Sequence, residues 1–465
     1  MSEQAKFLHG SLFRHISVMS LTASIGLMAI FAVDFIDMIF ISMLGKAELA
    51  AAVGYAGAIL FFTTSFGIGM AIAAGALVAT ALGEGDEEKA SRRAATSLIY
   101  GVVFSAAFAA VVWLNIEPLA ALMGATGETL DLAAGYLRII IPSLPFLMVG
   151  MVGGAILRAH GDARRAMMAT LIGGAVNAVL DPILIFGLNL DLTGAALASV
   201  AARIAMAAVS LAPIFKHYGG LRKPTAAEFK MDFPAIMTIA VPAILTQLAT
   251  PIGSAYVTRA MAEYGEGAVA GMAIVGRLTP IAFGVIFALS GAVGPIMGQN
   301  FGAGKHDRVQ GAFKDALIFI TLVVVFMAVA LFALRGPIVT LFQADGVARD
   351  LVYLFCGPLA LLFFFNGAIF VANAAFNNLG HPFYSTWINW GRHTLGTIPF
   401  VILGASLWGA EGVLLGQAFG GVVFGLIALW LGRRVIRKAA EGAVDHKDAP
   451  FARQGRLHGL LHLRR

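Results

Sequence analysis

The sequence predicts an all-α membrane protein, with twelve transmembrane helices in two six-helix lobes that share one orientation. Three observations predict it. First, 59% of the 465 residues are hydrophobic and only 12% are charged. Soluble globular chains carry about 25% charged residues, and a soluble fold of this size could not cover so much apolar surface. Second, twelve apolar runs follow one another with short polar breaks. They lie at 16–43, 49–82, 94–116, 133–157, 166–188, 192–215, 234–258, 268–298, 315–334, 351–377, 384–404 and 410–432. A bilayer-spanning helix takes about 20 apolar residues, and the longer runs predict tilt or extension beyond the membrane. Third, the chain repeats itself. "MLGKAELAAAVG" from Met43 resembles "EYGEGAVAGMAI" from Glu263, "ALGEGDEEKASR" from Ala81 resembles "NFGAGKHDRVQG" from Asn300, and "LRAHGDARR" from Leu157 resembles "FNNLGHPFY" from Phe376. These pairs match Gly45 with Gly265, Gly83 with Gly302 and Gly161 with Gly380. Each copy holds six helices, an even number, so the repeat is of the parallel kind.

Taken in order, residues 1–15 form a short polar start, 16–215 the first lobe, 216–232 a linker, 233–432 the second lobe and 433–465 a basic tail. The first apolar run is too long for a cleavable signal peptide, and no small-residue cleavage site follows it. An even helix count puts both termini on one side. The termini and the loops after even-numbered helices hold 24 of the 32 Lys and Arg residues. The opposite loops hold only Lys46, Arg259, Arg335 and Arg349. Positive charge stays on the cytoplasmic side, so both termini are expected in the cytoplasm and the chain in the bacterial inner membrane. The net charge of +6 and pI of about 9.5 are then a topology signal, which argues against a nucleic-acid partner. The single cysteine, Cys356, excludes an internal disulfide.

Buried polar groups mark the chemistry. Asn177 and Asp181 stand four apart in "AMMATLIGGAVNAVLDPILIFGL", on one face of the fifth helix. Asp34 and Asp37 stand one turn apart in the first, in "FAVDFIDMIFISML". Carboxylates inside a membrane are costly and should face the bundle interior or a water-filled cavity. Asp37 is seven residues before Leu44, and Asp181 is seven before Leu188. At 1.5 Å per residue both acids lie about 10 Å below the same end of their helices. They can share one site if the two helices are neighbours. Pro182 cannot donate to the carbonyl of Ala178, which leaves that oxygen free. A buried ion pair between Asp34 and Arg203, which lies at similar depth in the sixth helix, would leave Asp37 and Asp181 to exchange a proton. Arg277, Arg392 and Arg138 lie nearer helix ends and read as snorkelling side chains. Gln247, Asn366 and Asn373 read either as interhelical hydrogen bonds or, with Arg277, as the lining of a substrate cavity.

Two enzyme-like strings fail. "GEGD" at Gly83–Asp86 spells an intramembrane aspartyl protease motif, but Asp86 lies in a charged loop beside Glu84, Glu87 and Glu88, without a facing carboxylate. "GAGKH" from Gly302 lacks the first glycine and the terminal Ser or Thr of a phosphate-binding loop. With no ATP site, uphill transport would draw on an ion gradient.

The residues also carry a family resemblance. "IDMIFISMLGKAELAAAVG" at 36–54, "LGEGD" at 82–86, "LRAHGDARR" at 157–165 and "GQNFGAGKHDR" at 298–308 resemble the multidrug and toxic compound extrusion (MATE) transporters, in both halves and in order. Asp37 matches the family's first-helix carboxylate. Asn177 and Asp181 match the Asn-xxx-Asp of the DinF-like branch, and Ser199 stands where that branch has a sixth-helix hydroxyl. A proline common early in the first helix is missing, with Met19 and Thr22 the nearest residues, and the second half lacks the acids of the NorM-like branch. The resemblance implies efflux of cationic or amphipathic small molecules by alternating access, with no enzyme activity and no cofactor. Protons would be exchanged, or sodium ions held by Asp37, Asn177, Asp181 and Ser199. A lipid-linked or polysaccharide flippase of the same superfamily is the alternative. The expected partners are substrate and lipid only, with the chain a monomer.

Overall fold

The computed structural model describes residues 5–441, and every regular element among them is helical. The helices are α1 (Leu12–Met43), α2 (Ala47–Gly83), α3 (Glu87–Leu114), α4 (Gly127–Ala159), α5 (Ala163–Gly187), α6 (Asp191–His217), α7 (Ala226–Ala262), α8 (Glu266–Gly302), α9 (His306–Leu341) and α10 (Gly346–Asn378). A last helical stretch, Phe383–Ala440, is 58 residues long and is double. Trp408 leaves the helical conformation and Gly409 takes a φ of 58°, which reverses the chain. Three close approaches bracket that reversal. A Cβ on Gly404 would fall on the carbonyl of Gly412, one on Gly416 on that of Phe400, and one on Gly420 on that of Gly396. Each pair is symmetric about Trp408, as in two antiparallel helices. The stretch is therefore α11 (383–407) and α12 (410–440), which brings the spans to the expected twelve.

Most helices run past their apolar cores. α7 begins at Ala226, eight residues ahead of its apolar run, and α12 takes up the first residues of the expected tail, to Ala440. The rest of that tail, from 442, lies outside the described residues. A helix satisfies its own backbone in water as well as in lipid, so hydropathy marks the buried length and not the helix ends. Caps mark those ends. Asp86 accepts from the Lys89 amide at 2.8 Å to start α3, and Asp162 from the Arg165 amide at 3.1 Å to start α5. A short helix, Ile116–Leu122, follows α3 and was not predicted. Two of the three repeated glycine pairs are turn residues, while Gly83 and Gly302 end their helices. Gly45 and Gly265 have φ of 69° and 90°, Gly161 and Gly380 of 74° and 86°, a region costly to residues with a Cβ.

The described chain forms two compact units, Ile25–Ala240 and Phe7–Ser24 with the chain from Val241 on. These bounds differ from the expected lobes. The start of α1 goes to the second unit because the "GQNFGAGKHDR" stretch holds the segment before it. The Phe7 amide donates to Gln299 Oε1 at 2.9 Å, Arg308 Nη2 donates to the Phe7 carbonyl at 2.8 Å, and Lys305 Nζ to that of Leu8 at 3.0 Å. The expected linker 216–232 goes to the first unit and becomes helical halfway. Ser91 Oγ donates to the Gly220 carbonyl at 2.9 Å, Arg92 pairs with Asp232 at 3.2 Å, and the Tyr100 ring stacks on Phe229 at 4.1 Å.

Within the first unit, glycines let helices approach closely. Gly26 faces Thr170 and Gly174 faces Val33 between α1 and α5; Gly173 lies against Ala202 and Met206 between α5 and α6; Gly153 lies against Ser210 between α4 and α6. Small residues at such contacts are how helices associate where lipid removes the hydrophobic drive. The α1–α5 contact positions the site.

Candidate functional site

α1 and α5 run side by side in register. Gly26 meets Thr170, Val33 meets Gly174, and the rings of Phe40 and Phe186 meet at 5.9 Å. Asp37 and Asp181 lie between the last two contacts. Their carboxyl groups face each other within hydrogen-bonding reach. Asp181 is fully buried and Asn177 is 7% exposed. Asp37 Oδ1, both Asp181 oxygens and Asn177 Nδ2 are buried and find no hydrogen-bond partner in the protein. Two ionised carboxylates can only accept, so their facing oxygens call for a donor or a cation between them, and a shared proton supplies one. Just beyond, Pro182 ends the α-helix, and Ile183–Gly187 widen into a π-turn closed by the Leu188 amide on the Ile183 carbonyl at 2.9 Å. A proline amide without hydrogen interrupts the ladder at that point.

Tyr136 of α4 joins this group. Its hydroxyl faces that of Ser199, and both acids and Arg203 lie near enough to act on it. The expected Ser199 hydroxyl thus meets a tyrosine. The sequence held no depth signal for it, since Tyr136 is only three residues into the apolar run 133–157. Its depth follows from the start of α4 at Gly127, nine residues and about 13 Å before it.

The expected Asp34–Arg203 ion pair does not form. Arg203 Nη1 donates to the Ile140 carbonyl at 3.2 Å and to Ser143 Oγ at 2.9 Å. Ile140 precedes and Ser143 ends a 3-10 turn, Ile141–Ser143, that breaks α4 at Pro142. The break frees carbonyl oxygens, and the guanidinium takes one of them. Asp34 is exposed on α1. Arg203→Met should cost about 1.5–3 kcal/mol, the worth of hydrogen bonds to a charged group, seen as a lower melting temperature of the purified protein. Asp34→Asn should restore none of it, and restoration would contradict the geometry.

The other candidates lie in the second unit and are not joined by hydrogen bonds to one another among the described residues. Asn373 accepts from Asn389 at 3.4 Å, bridging α10 to α11. Asn366 Oδ1 is buried without a partner. Gln247 is half-buried on α7, and Arg277 is exposed on α8. Of the arginines read as snorkelling, Arg138 is exposed and pairs with Glu117. Arg392 instead lies half-buried beside α12. No group of three His, Cys, Asp or Glu side chains that could hold a metal occurs among the described residues. A cavity of about 260 Å³ at the loop end of the first unit is lined by Ser91, His160, Tyr218, Gly220 and Arg222. Its walls are already committed: Arg222 pairs with Glu88 at 2.9 Å, and the Tyr218 hydroxyl donates to Asp162 at 2.6 Å. Burial works against the Asp162 charge, yet this bond and those from Arg165 hold its carboxyl below the usual range.

The chain matches the MatE family model twice, over residues 23–183 and 242–403, in the spacing of the paired glycines. It is 28% identical to the FAD transporter of Shewanella oneidensis, over 96% of this chain and 100% of that protein. It is 26% identical to the multidrug export protein MepA of Staphylococcus aureus, over 73% of this chain and 75% of that one. Its fold is similar to a crystal structure of MATE in the bent conformation, with a TM-score of 0.87 at 22% identity over 95% of this chain and 100% of the other. An outward-facing multidrug resistance MATE family transporter of the MOP superfamily gives the same score and identity, over 95% and 99%. Two matches to one family model, in step with the internal repeat and with twelve spans of the same fold, identify the chain as a member of the MatE family of membrane transporters.

Proposed function

We propose that the protein is a secondary active exporter that moves organic cations or amphipathic compounds in exchange for protons, through Asp37 and Asp181. The observation that carries this reading is the facing pair of carboxyl groups whose buried oxygens have no partner in the protein. A proton shared between them satisfies those oxygens, and so does a cationic cargo. The two therefore compete, and each weakens the binding of the other. That is the linkage an exchanger needs. The similarity to MepA, a multidrug export protein, supports the cargo class. The Lys and Arg distribution supports cytoplasmic termini, and the bacterial relatives support a bacterial inner membrane.

Asp37, Asn177 and Asp181 also offer oxygens of the kind sodium prefers, so the coupling ion is the first thing to test. In proteoliposomes, a pH gradient alone should drive ethidium transport, and a sodium gradient at fixed pH should not. Transport driven by sodium alone, with no response to pH, overturns the proton assignment. A second reading of the cargo, a flavin nucleotide, is favoured by the full-length similarity to a FAD transporter. Competition of FAD with ethidium in the same vesicles separates the two readings.

A further inference from the structure

In the second unit the register equivalent to the acid pair is built differently. With Gly161 matched to Gly380, Asn177 and Asp181 of α5 fall on Gly396 and Phe400 of α11, and Asp37 falls on Tyr256 of α7. No carboxylate stands there. Instead α11 is broken. Its first helical piece, Phe383–His393, ends, the chain turns through Thr394–Thr397, and helix resumes at Ile398. The turn is fixed by the Gly396 amide on the Gly391 carbonyl at 2.8 Å and by Thr397 Oγ1 on that of Arg392 at 2.9 Å. Arg392 is nine residues from the start of α11, about 14 Å along it and near the middle of a hydrocarbon core of about 30 Å. Irregular backbone at that depth is tolerated where it is buried in protein or lines a water-filled cavity. Broken helices are where transporters of repeat architecture hold their cargo.

Arg392 ends a polar ladder. Ser385 Oγ donates to Asn377 Oδ1 at 3.3 Å, and Asn389 Nδ2 to Asn373 Oδ1 at 3.4 Å, between α11 and α10. Arg392 continues the stripe of Ser385 and Asn389 at i, i+4 and i+7. Asn366 continues the opposite stripe. This last rung is not closed. Asn366 Oδ1 is buried without a partner. It lies 3.6 Å, and Arg392 Nε 4.0 Å, from the place a Cβ on Gly421 would take. Among the described residues no carboxylate forms an ion pair with the guanidinium. A charge at this depth without a counter-charge is costly and marks function more often than packing.

We infer that Arg392, with Asn366 beside it, is a subsite for the anionic oxygens of the cargo, a carboxylate or a phosphate group. The guanidinium fork fits either in two parallel hydrogen bonds. Asn366 Oδ1 accepts an N–H or O–H of the same molecule, and the bare Cα of Gly421 leaves room for it. The inference rests on the transporter reading above and adds a cargo class to it.

The test uses purified full-length protein in nanodiscs and two dyes that differ in one group. Tetramethylrhodamine bears a carboxylate, and its methyl ester does not. Arg392→Met should weaken binding of the free acid about 10- to 100-fold, the range for a charge-assisted hydrogen bond, and leave the ester unchanged. Arg392→Lys should fall between. Equal losses for both dyes, or no loss for the acid, overturn the subsite. If neither variant gives folded protein, the wild type decides: acid bound more tightly than ester supports the subsite, and the reverse overturns it. Benzoate and inorganic phosphate as competitors of the acid separate a carboxylate from a phosphate preference, and displacement by neither overturns the subsite. Failure of the transporter reading is distinct, since it appears as no gradient-driven movement of the ester by wild-type protein in liposomes.

Discussion

Asp37→Asn is expected to stop gradient-driven efflux while the protein stays folded and in the membrane. The asparagine keeps the size of the side chain and can still bond to Asp181, but it cannot gain or lose a proton. Asp181 is fully buried, and its oxygens have only the facing Asp37 carboxyl to share a proton with. With one acid gone, the remaining one holds a proton or a cargo cation without the paired partner that makes the two exclude each other. Coupling between two ligands is commonly worth about 5- to 150-fold in affinity. The wild type should therefore bind ethidium more weakly as pH falls, by a factor in that range. The slope runs this way because protonation removes the negative charge that attracts the cation. In Asp37→Asn the pH dependence should flatten and transport should drop to the background of empty liposomes. Wild-type transport by the variant under a pH gradient would rule out Asp37 as the coupling group.

Gly420→Leu is expected to abolish a folded second unit. Any Cβ at Gly420 would collide with the Gly396 backbone, and the neighbouring contacts of Gly404 with Gly412 and of Gly416 with Phe400 are also too close for a Cβ. The obstacle is main chain, which cannot rotate away like a side chain. Relief requires opening the α11–α12 hairpin, and the cost should exceed the about 1–3 kcal/mol of ordinary overpacking. Gly276→Leu in α8 is the control, because nothing lies within 4 Å of its added Cβ. The measure is the yield of monodisperse protein and its melting temperature. A Gly420→Leu protein as abundant and stable as the Gly276→Leu control would show that the hairpin does not need this approach.

The acid pair was legible because two independent counts agreed. Asp37 stands seven residues before Leu44 and Asp181 seven before Leu188, at the ends of their apolar stretches, so equal depth could be read without a structure. What no count could supply is that α1 and α5 are neighbours, or that their facing sides carry the two acids. The reading of Arg203 failed for that reason. Its depth suited Asp34, but its direction is set by where α6 lies against α4, and by the break at Ile141–Ser143 that exposes a carbonyl to it. Arg392 was misplaced in a similar way. Distance from a helix end says that a side chain can snorkel, and the turn at Thr394–Thr397 with the packing of α10 and α12 keeps it inside.

By itself the sequence determined that this is a membrane protein of twelve spans and two parallel repeats, with acids inside its first half. Those properties are local. Transfer of a run of residues into lipid depends on that run alone, and glycine is favoured where a turn takes a positive φ, as at Gly45, Gly161, Gly265 and Gly380. The tertiary structure decided which polar groups meet. It brought Asp37 to Asp181 and Tyr136 to Ser199, gave Arg203 to α4, and placed Arg392 and the unpartnered Asn366 Oδ1 beside Gly421. Such meetings depend on the rotation of each helix about its axis and on where it breaks. Both are set by close contacts between helices distant in sequence, in a medium where small residues and packing, not hydropathy, choose the neighbours.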